Sequence, residues 1–319
     1  MNKKTRLKKI TVIIILLLVC LTGCTKQLTD KDGKRIMNEE TGQSLTGNIL
    51  CLPEDKNLLN IYKENEKNMD IKLDDLKKCS NMKIYEKSSY NGLWVALFVR
   101  PLAWIIVKLG KLVGNYGISV MLVGILIRLI MLPFSAKTAK QQEQMKKIQP
   151  AMQRIEKKYE GKNDQESLMK KSQEQLALYQ KYQINPMSSC LISFIQLPLF
   201  FAFLEAINRV PAIFENSFWK FQLGTTPLIG IKAGNYWYIL LIILILLFTV
   251  LSFKNSMSSM SGSSEQAKQT KYMLIFMTIF IGIASIQLPA AIALYWVVTN
   301  AFNVIQMFIL KKRGSKNEN

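Results

Sequence analysis

The chain has 319 residues, is 49% hydrophobic and carries 42 Lys and Arg against 22 Asp and Glu, so apolar blocks alternate with basic segments at a net charge of +20. That balance points to a membrane protein with partners of opposite sign: anionic lipid head groups, ribosomal RNA or acidic client proteins. The absence of His removes the usual imidazole base and metal ligand, and Cys20, Cys24, Cys51, Cys79 and Cys190 show no CxxC spacing, which argues against zinc chemistry.

Residues 1–23 read as a targeting segment, kept out of the fold. Lys3, Lys4, Arg6, Lys8 and Lys9 form a basic start, Ile10 to Leu21 an apolar run, and Leu21-Thr22-Gly23-Cys24 a bacterial lipoprotein cleavage box. Cys24 is the expected acylation site and mature N-terminus, which puts the following residues outside the cytoplasm. Residues 24–92 are polar, with short apolar patches such as Ile49-Leu50-Cys51-Leu52, and read either as a small subdomain or as a tether. In an oxidising exterior, Cys51 and Cys79 either pair or remain two free thiols.

Residues 93–115 read as an amphipathic helix lying in the outer head-group layer. Arg100, Trp104, Lys108 and Lys111 fall on one helical face, and Pro101 suits a helix start. Five membrane spans are expected after it, at about 116–135, 187–207, 236–253, 272–288 and 291–310. The connection 136–186 holds eleven Lys and Arg, whereas 208–235 holds only Arg209, Lys220 and Lys232. By the positive-inside rule the long basic connection is cytoplasmic. The tail 311–319, with Lys311, Lys312 and Arg313, is cytoplasmic too, which agrees with an external N-terminus.

Within 136–186, Met145, Ile148, Met152, Ile155 and Tyr159 recur at helical spacing, and Met169, Leu176 and Tyr179 do so further on. The pattern predicts two helices, about 135–159 and 165–182, paired as an antiparallel hairpin, with a kink at Pro150. Lys140, Lys146, Lys147, Arg154, Lys157 and Lys158 are its candidate contacts for ribosomal RNA, phospholipid or an acidic client.

The most informative single residue is Arg128, alone in the apolar run from Tyr116 to Pro133 and a few residues from the midpoint of the first expected span. A guanidinium at that depth costs about 3 kcal/mol on insertion scales, so it faces water or protein rather than lipid. Trp296, Thr299, Asn303 and Gln306 share a stripe on the last span, with Asn300 at its edge, and Gln196 adds a polar group on the second. Such residues also glue membrane helices together. Glu205 is the only acid inside an expected span and lies toward the opposite side from Arg128, so water rather than a carboxylate is the expected solvent of the guanidinium.

These residues carry a resemblance. Ile127-Arg128-Leu129-Ile130-Met131-Leu132-Pro133 before a Lys/Gln-rich helix, Lys181-Tyr182-Gln183-Ile184-Asn185-Pro186 leading to Cys190 and Gln196-Leu197-Pro198, and Leu288 to Trp296 with Asn300 and Gln306 resemble the YidC/Oxa/Alb membrane protein insertases, in particular the lipoprotein-type members of Gram-positive bacteria. The chain departs from the family at Ser189 and Ile192 beside Cys190, and at Ala291, where a Gly is common. The resemblance implies an all-α polytopic membrane protein whose five-helix core, 116–310, encloses a hydrophilic groove open to the cytoplasm and to lipid. It also implies Arg128 as the positive centre of that groove, nascent membrane proteins as clients, and the ribosome, a targeting receptor and the Sec translocon as partners in the bacterial cell membrane. Neither enzymatic chemistry nor a cofactor is expected. A small-solute or anion transporter with Arg128 as its charge site is the competing class, and it predicts inverted repeats that the sequence does not display.

Overall fold

The computed structural model describes residues 25–85, 92–162, 164–184, 198–258 and 265–316. The expected signal segment, Cys24, Cys190 and Gln196 lie outside the described residues. The chain divides into two compact units, one of Met1–Val123, Gln196–Leu241 and Ile286–Tyr295, the other of Gly124–Ile195, Ile242–Ser285 and Trp296–Asn319.

In the first unit, residues 25–82 form a compact subdomain, which decides between the two readings of that segment. Strands β1 (Met37–Asn38) and β2 (Gln43–Ser44) pair antiparallel, and helix α1 (Lys56–Glu64) follows. Asp55 starts α1 by accepting the Leu58 N–H at 2.8 Å, the expected use of a short acidic side chain at a helix entrance. Leu58 and Tyr62, one turn apart on α1, pack on Leu28, Leu45, Ile49, Leu73 and Leu76, all buried. Cys51 and Cys79 form a disulfide, flanked by the hydrogen bonds Leu52 N to Lys77 O at 2.8 Å and Cys79 N to Leu52 O at 3.1 Å. Secondary structure here is sparse, and the crosslink closes what so small a core leaves loose.

A π-turned segment, Val95–Val99, runs directly into helix α2 (Arg100–Val113), which ends at Gly114 in the left-handed region at φ 74°. Lys108 and Lys111 are exposed as the helical face requires, but Arg100 is not part of that face. It is buried, and its Nε donates to the Lys83 carbonyl at 3.1 Å. The reason is sequence-local: Val95–Val99 continues the helix upstream of Arg100, so the residue sits inside a longer helical stretch rather than at an open start.

Helix α3 (Tyr116–Ile130) and helix α4 (Leu132–Lys158) meet at a bend of 51°. The expected first span, 116–135, is therefore broken at Met131. Pro133 explains the break, since it has no N–H for the Leu129 carbonyl one turn earlier and its ring crowds that turn. Helix α4 is continuous through Pro150. Helix α5 (Gln165–Lys181) is entered through Asp164, which accepts the Ser167 N–H at 2.8 Å. Then come α6 (Pro198–Asn208), the single turn α7 (Pro211–Phe214), the hairpin β3 (Ser217–Phe218) with β4 (Phe221–Gln222), α8 (Pro227–Lys232), α9 (Trp237–Ser258), α10 (Glu265–Gln287) and α11 (Ala290–Lys316).

Among the described residues, one helix is by itself long and apolar enough to cross a membrane, Ala290–Leu310 within α11. The bent pair α3 and α4 passes the same test together, while Pro198–Asn208, Trp237–Phe253 and Lys271–Gln287 are shorter apolar helices. Apolar side chains are exposed on the last two: Ile239, Ile243, Leu247 and Val250 on α9 and Phe276, Ile279, Phe280 and Ile283 on α10.

Candidate functional site

Arg128 owes its setting to the bend. With the helix ending at Ile130, Arg128 lies in its last turn rather than near the middle of a span. The side chain is half-buried, and its Nε is shielded from solvent. The apolar run around Arg128 thus supplies a low-dielectric wall to a charge held there.

The stripe on α11 belongs to the same compact unit as Arg128. Thr299 and Gln306 are buried, and Trp296, Asn300 and Asn303 are half-buried, so all five avoid the fully exposed surface that Ile305, Phe308 and Ile309 occupy. Asn300 Nδ2 donates to Thr249 Oγ1 at 3.1 Å, a bond between α11 and α9.

Thr249 is 1% exposed, and with Ser252, also buried, it extends the polar strip onto α9. Sequence reading passed over both because small hydroxyls disappear within the apolar run of that helix. Their spacing of three residues, which places them on one face, was the available signal. Ser285 is buried too, but its Oγ donates to the Gly282 carbonyl at 2.7 Å and serves its own helix.

The hairpin α4–α5 also lies in this unit. Its seam is Ile148, Met152 and Ile184, with Met145, Leu178 and Tyr179 against them. The first helix matches the expected pattern, with Tyr159 also buried. The second does not: Met169 and Leu176 are each 57% exposed. Gln183 turns through φ 53°, Ile184 N–H bonds back to the Tyr179 carbonyl at 2.9 Å, and Ile184 takes the place that Leu176 was expected to fill. Lys140, Lys146, Lys147, Arg154, Lys157 and Lys158 are all exposed, the last ion-paired with Glu174. The Glu174 carboxyl also accepts the Tyr159 hydroxyl at 2.9 Å, and both bonds hold its pKa below the usual range.

Glu205 has a partner that sequence reading missed. It forms a buried ion pair with Arg209 at 2.7 Å, one turn along, and accepts the Trp94 indole N–H at 2.9 Å. It belongs to the first unit and Arg128 to the second. The four-residue spacing between Glu205 and Arg209 was the clue.

Among the described residues no cluster of acids or cysteines could hold a metal ion.

Residues 108–317 match the family described as the 60Kd inner membrane protein. The membrane protein insertase MisCA of Bacillus subtilis is 38% identical over 234 residues, covering 73% of this chain and 85% of the relative. The membrane protein insertase YidC of Oceanobacillus iheyensis is 36% identical over 224 residues, covering 70% of this chain and 85% of the relative. A crystal structure of an active YidC insertase with its first transmembrane domain resolved aligns at 24% identity with a TM-score of 0.45, over 69% of this chain and 47% of that one.

Proposed function

This chain belongs to the YidC/Oxa/Alb family of membrane protein insertases, proteins of the bacterial cell membrane, and we propose that it inserts client membrane proteins through a polar groove centred on Arg128. The observation that carries the reading is the polar strip of Thr249, Ser252, Thr299, Asn300 and Gln306 on apolar helices, in one compact unit with a half-buried Arg128. A hydrophilic client tail loses several kcal/mol for each unpaired backbone group in hydrocarbon, and such a strip offers it hydrogen-bond partners. Arg128 attracts an acidic tail, the client's own apolar helix partitions into lipid, and burial of that helix drives the process. No covalent step or cofactor enters this mechanism.

The topology that goes with this reading has five spans, with α9 and α10 as complete spans, and the first apolar helix bent at Met131. The Cys51–Cys79 disulfide favours an external N-terminal subdomain, since such bonds persist in oxidising compartments. The basic hairpin α4–α5 is then cytoplasmic and meets the ribosome, the targeting receptor or the client first. Lipidation at Cys24, a cytoplasmic C-terminus, a place for Gln196 in the groove and assistance from the Sec translocon complete the proposal.

Protease protection of a newly translated single-span client with an acidic external tail tests it, in liposomes holding wild-type protein, Arg128→Ala, Arg128→Lys or no protein. Protection that needs the protein, drops to the protein-free level with Arg128→Ala and partly survives Arg128→Lys is the expected result. Equal protection in all four removes the groove mechanism and leaves anion transport as the use of the arginine.

A further inference from the structure

The insertase reading gives no task to the connection between α6 and α9, yet that connection holds an unusual turn. Strands β3 and β4 are joined by two residues, Trp219 and Lys220. Trp219, the first of them, has φ 52°, in the left-handed region that such a loop usually gives to glycine. A Cβ in that region crowds the following carbonyl, so a strained backbone is kept at the hairpin tip and holds an indole there. The indole is not consumed by packing, since Trp219 is 60% exposed.

The hairpin itself is held firmly within the first unit. Asn115 Nδ2 donates to the Ser217 carbonyl at 2.9 Å, and Asn235 Nδ2 donates to the Lys220 carbonyl at 2.7 Å. Tyr238 Oη accepts the Gln222 N–H at 3.0 Å and donates to the Gln222 carbonyl at 3.2 Å. Phe218 lies so close to Gly117 that a Cβ added to the glycine would stand 2.6 Å from the Phe218 Cβ. The corner before α3 and the first turn of α9 thus both grip the hairpin, and its Trp219 tip is left exposed.

The Trp219 ring meets Trp237, the first residue of α9 and 46% exposed, edge-on with centroids 4.6 Å apart. Their chain neighbours Lys220 and Tyr236 are exposed too. From Tyr236 an exposed stripe runs along α9 through Leu240, Ile243, Leu247 and Val250, at spacings of 4, 3, 4 and 3. The aromatic cluster therefore stands at the end of the surface that a lipid-facing helix presents. Indole and phenol rings with a lysine suit the layer where head groups meet acyl chains, because each ring has an apolar body and a polar tip and the ammonium reaches phosphate. We propose that the β3–β4 tip is a bilayer anchor. Trp219, Tyr236 and Trp237 occupy that layer of the phospholipid, Lys220 lies at the phosphates, and the gripped hairpin sets the depth at which α9 starts. The proposal rests on α9 as a span in the topology proposed above.

The test places the photocrosslinker benzoylphenylalanine, one site at a time, at Trp219, Lys220, Leu247 or Lys31 of the full chain in bacterial membranes. Adducts are read by intact mass after illumination. Lys31, exposed in the subdomain 25–82, sets the background, and Leu247 reports on α9 as a span. Phospholipid adducts at 219 and 220 are expected to exceed those at 31 by about tenfold. The hairpin is held at 220 through its backbone carbonyl, so lipid adducts there sustain the anchor even if the 219 variant fails to fold. Lipid yields at both tip sites no higher than at 31 overturn it, and so do protein adducts in place of lipid, which would make the tip a docking site for a protein. Lipid at 247 but at neither tip site removes the anchor and keeps the span. Lipid at the tip sites but not at 247 keeps the anchor and removes the span.

Discussion

The subdomain 25–82 and the hairpin α4–α5 are the two polar parts of this chain, and they use their apolar residues in opposite ways. The subdomain turns Leu28, Leu45, Ile49, Leu58, Tyr62, Leu73 and Leu76 inward, closes the arrangement with a disulfide and attaches itself through buried groups. The hairpin buries only Ile148, Met152 and Ile184 at its seam and leaves Leu168, Met169, Leu176 and Tyr182 exposed among its lysines. A part whose apolar residues are consumed internally is suited to being a fixture. Exposed apolar side chains among cations are suited to meeting something else, either an apolar helix with acidic flanks or a charged surface with greasy patches. The contrast makes separate predictions for the two parts.

The largest effect is expected at the disulfide. Cys51 and Cys79 are 28 residues apart, and crosslinking a loop of that length stabilises a fold by roughly 3 to 4 kcal/mol in the chain-entropy treatment. Cys51→Ala with Cys79→Ala should therefore accelerate hydrogen exchange of the Leu28 and Leu45 amides by roughly two to three orders of magnitude while leaving α5 amides unchanged. Equal acceleration in α5 would mean that the two parts unfold as one, and the contrast between them would fail.

Next comes the hairpin seam. Ile148→Ala removes a fully buried side chain from a small cluster, and a loss of about 2 to 3 kcal/mol is expected, read as faster exchange along α5 with the subdomain unaffected. Met169→Ser and Leu176→Ser, on the exposed face, should change exchange by no more than about 0.5 kcal/mol and instead weaken capture of ribosomes or acidic clients. If they destabilise the hairpin as much as Ile148→Ala does, those residues are buried in solution and the display reading is wrong.

The difference between the two parts was only partly visible beforehand. The first hairpin helix was legible because a single period of 3.6 runs through Met145, Ile148, Met152 and Tyr159, and Arg128 stood out because a lone charge in an apolar run has few explanations. The subdomain core was not legible: its residues are scattered over irregular segments with no period, and what joins them is long-range pairing such as Leu28 N–H to the Leu45 carbonyl. Leu176 looked like a seam residue because Gln183 hides its positive φ in an ordinary helix-forming side chain, and only that turn brings Ile184 back. Arg209 read as one of three loop cations because burial is a tertiary property, although Glu205 one turn earlier was there to be paired with it.

The smallest effect is expected at Glu215, which accepts the Glu54 N–H of the subdomain 25–82. Burial, reinforced by the nearby negative charges of Asp55 and Glu54, holds Glu215 above its ordinary 4.5, against the opposing backbone N–H groups of Glu54 and Asp55. The docked subdomain then binds that proton more tightly than a separated one, so this contribution is fully present below pH 4.5 and is lost as pH rises through the elevated pKa of Glu215. The depressed Glu54 carboxyl adds nothing comparable, because Ser80, whose hydrogen bonds lower it most, belongs to the same subdomain and stays with it on separation. Release of the subdomain after cleavage at a protease site placed between Glu86 and Asn91, measured from pH 3.5 to 7, should therefore rise with pH, with Glu215→Gln flattening the rise and Glu54→Gln leaving it in place. A profile that Glu215→Gln leaves unchanged would mean that Glu215 is solvated when the subdomain is docked, and the contact between residue 54 and residue 215 would have no part in holding it.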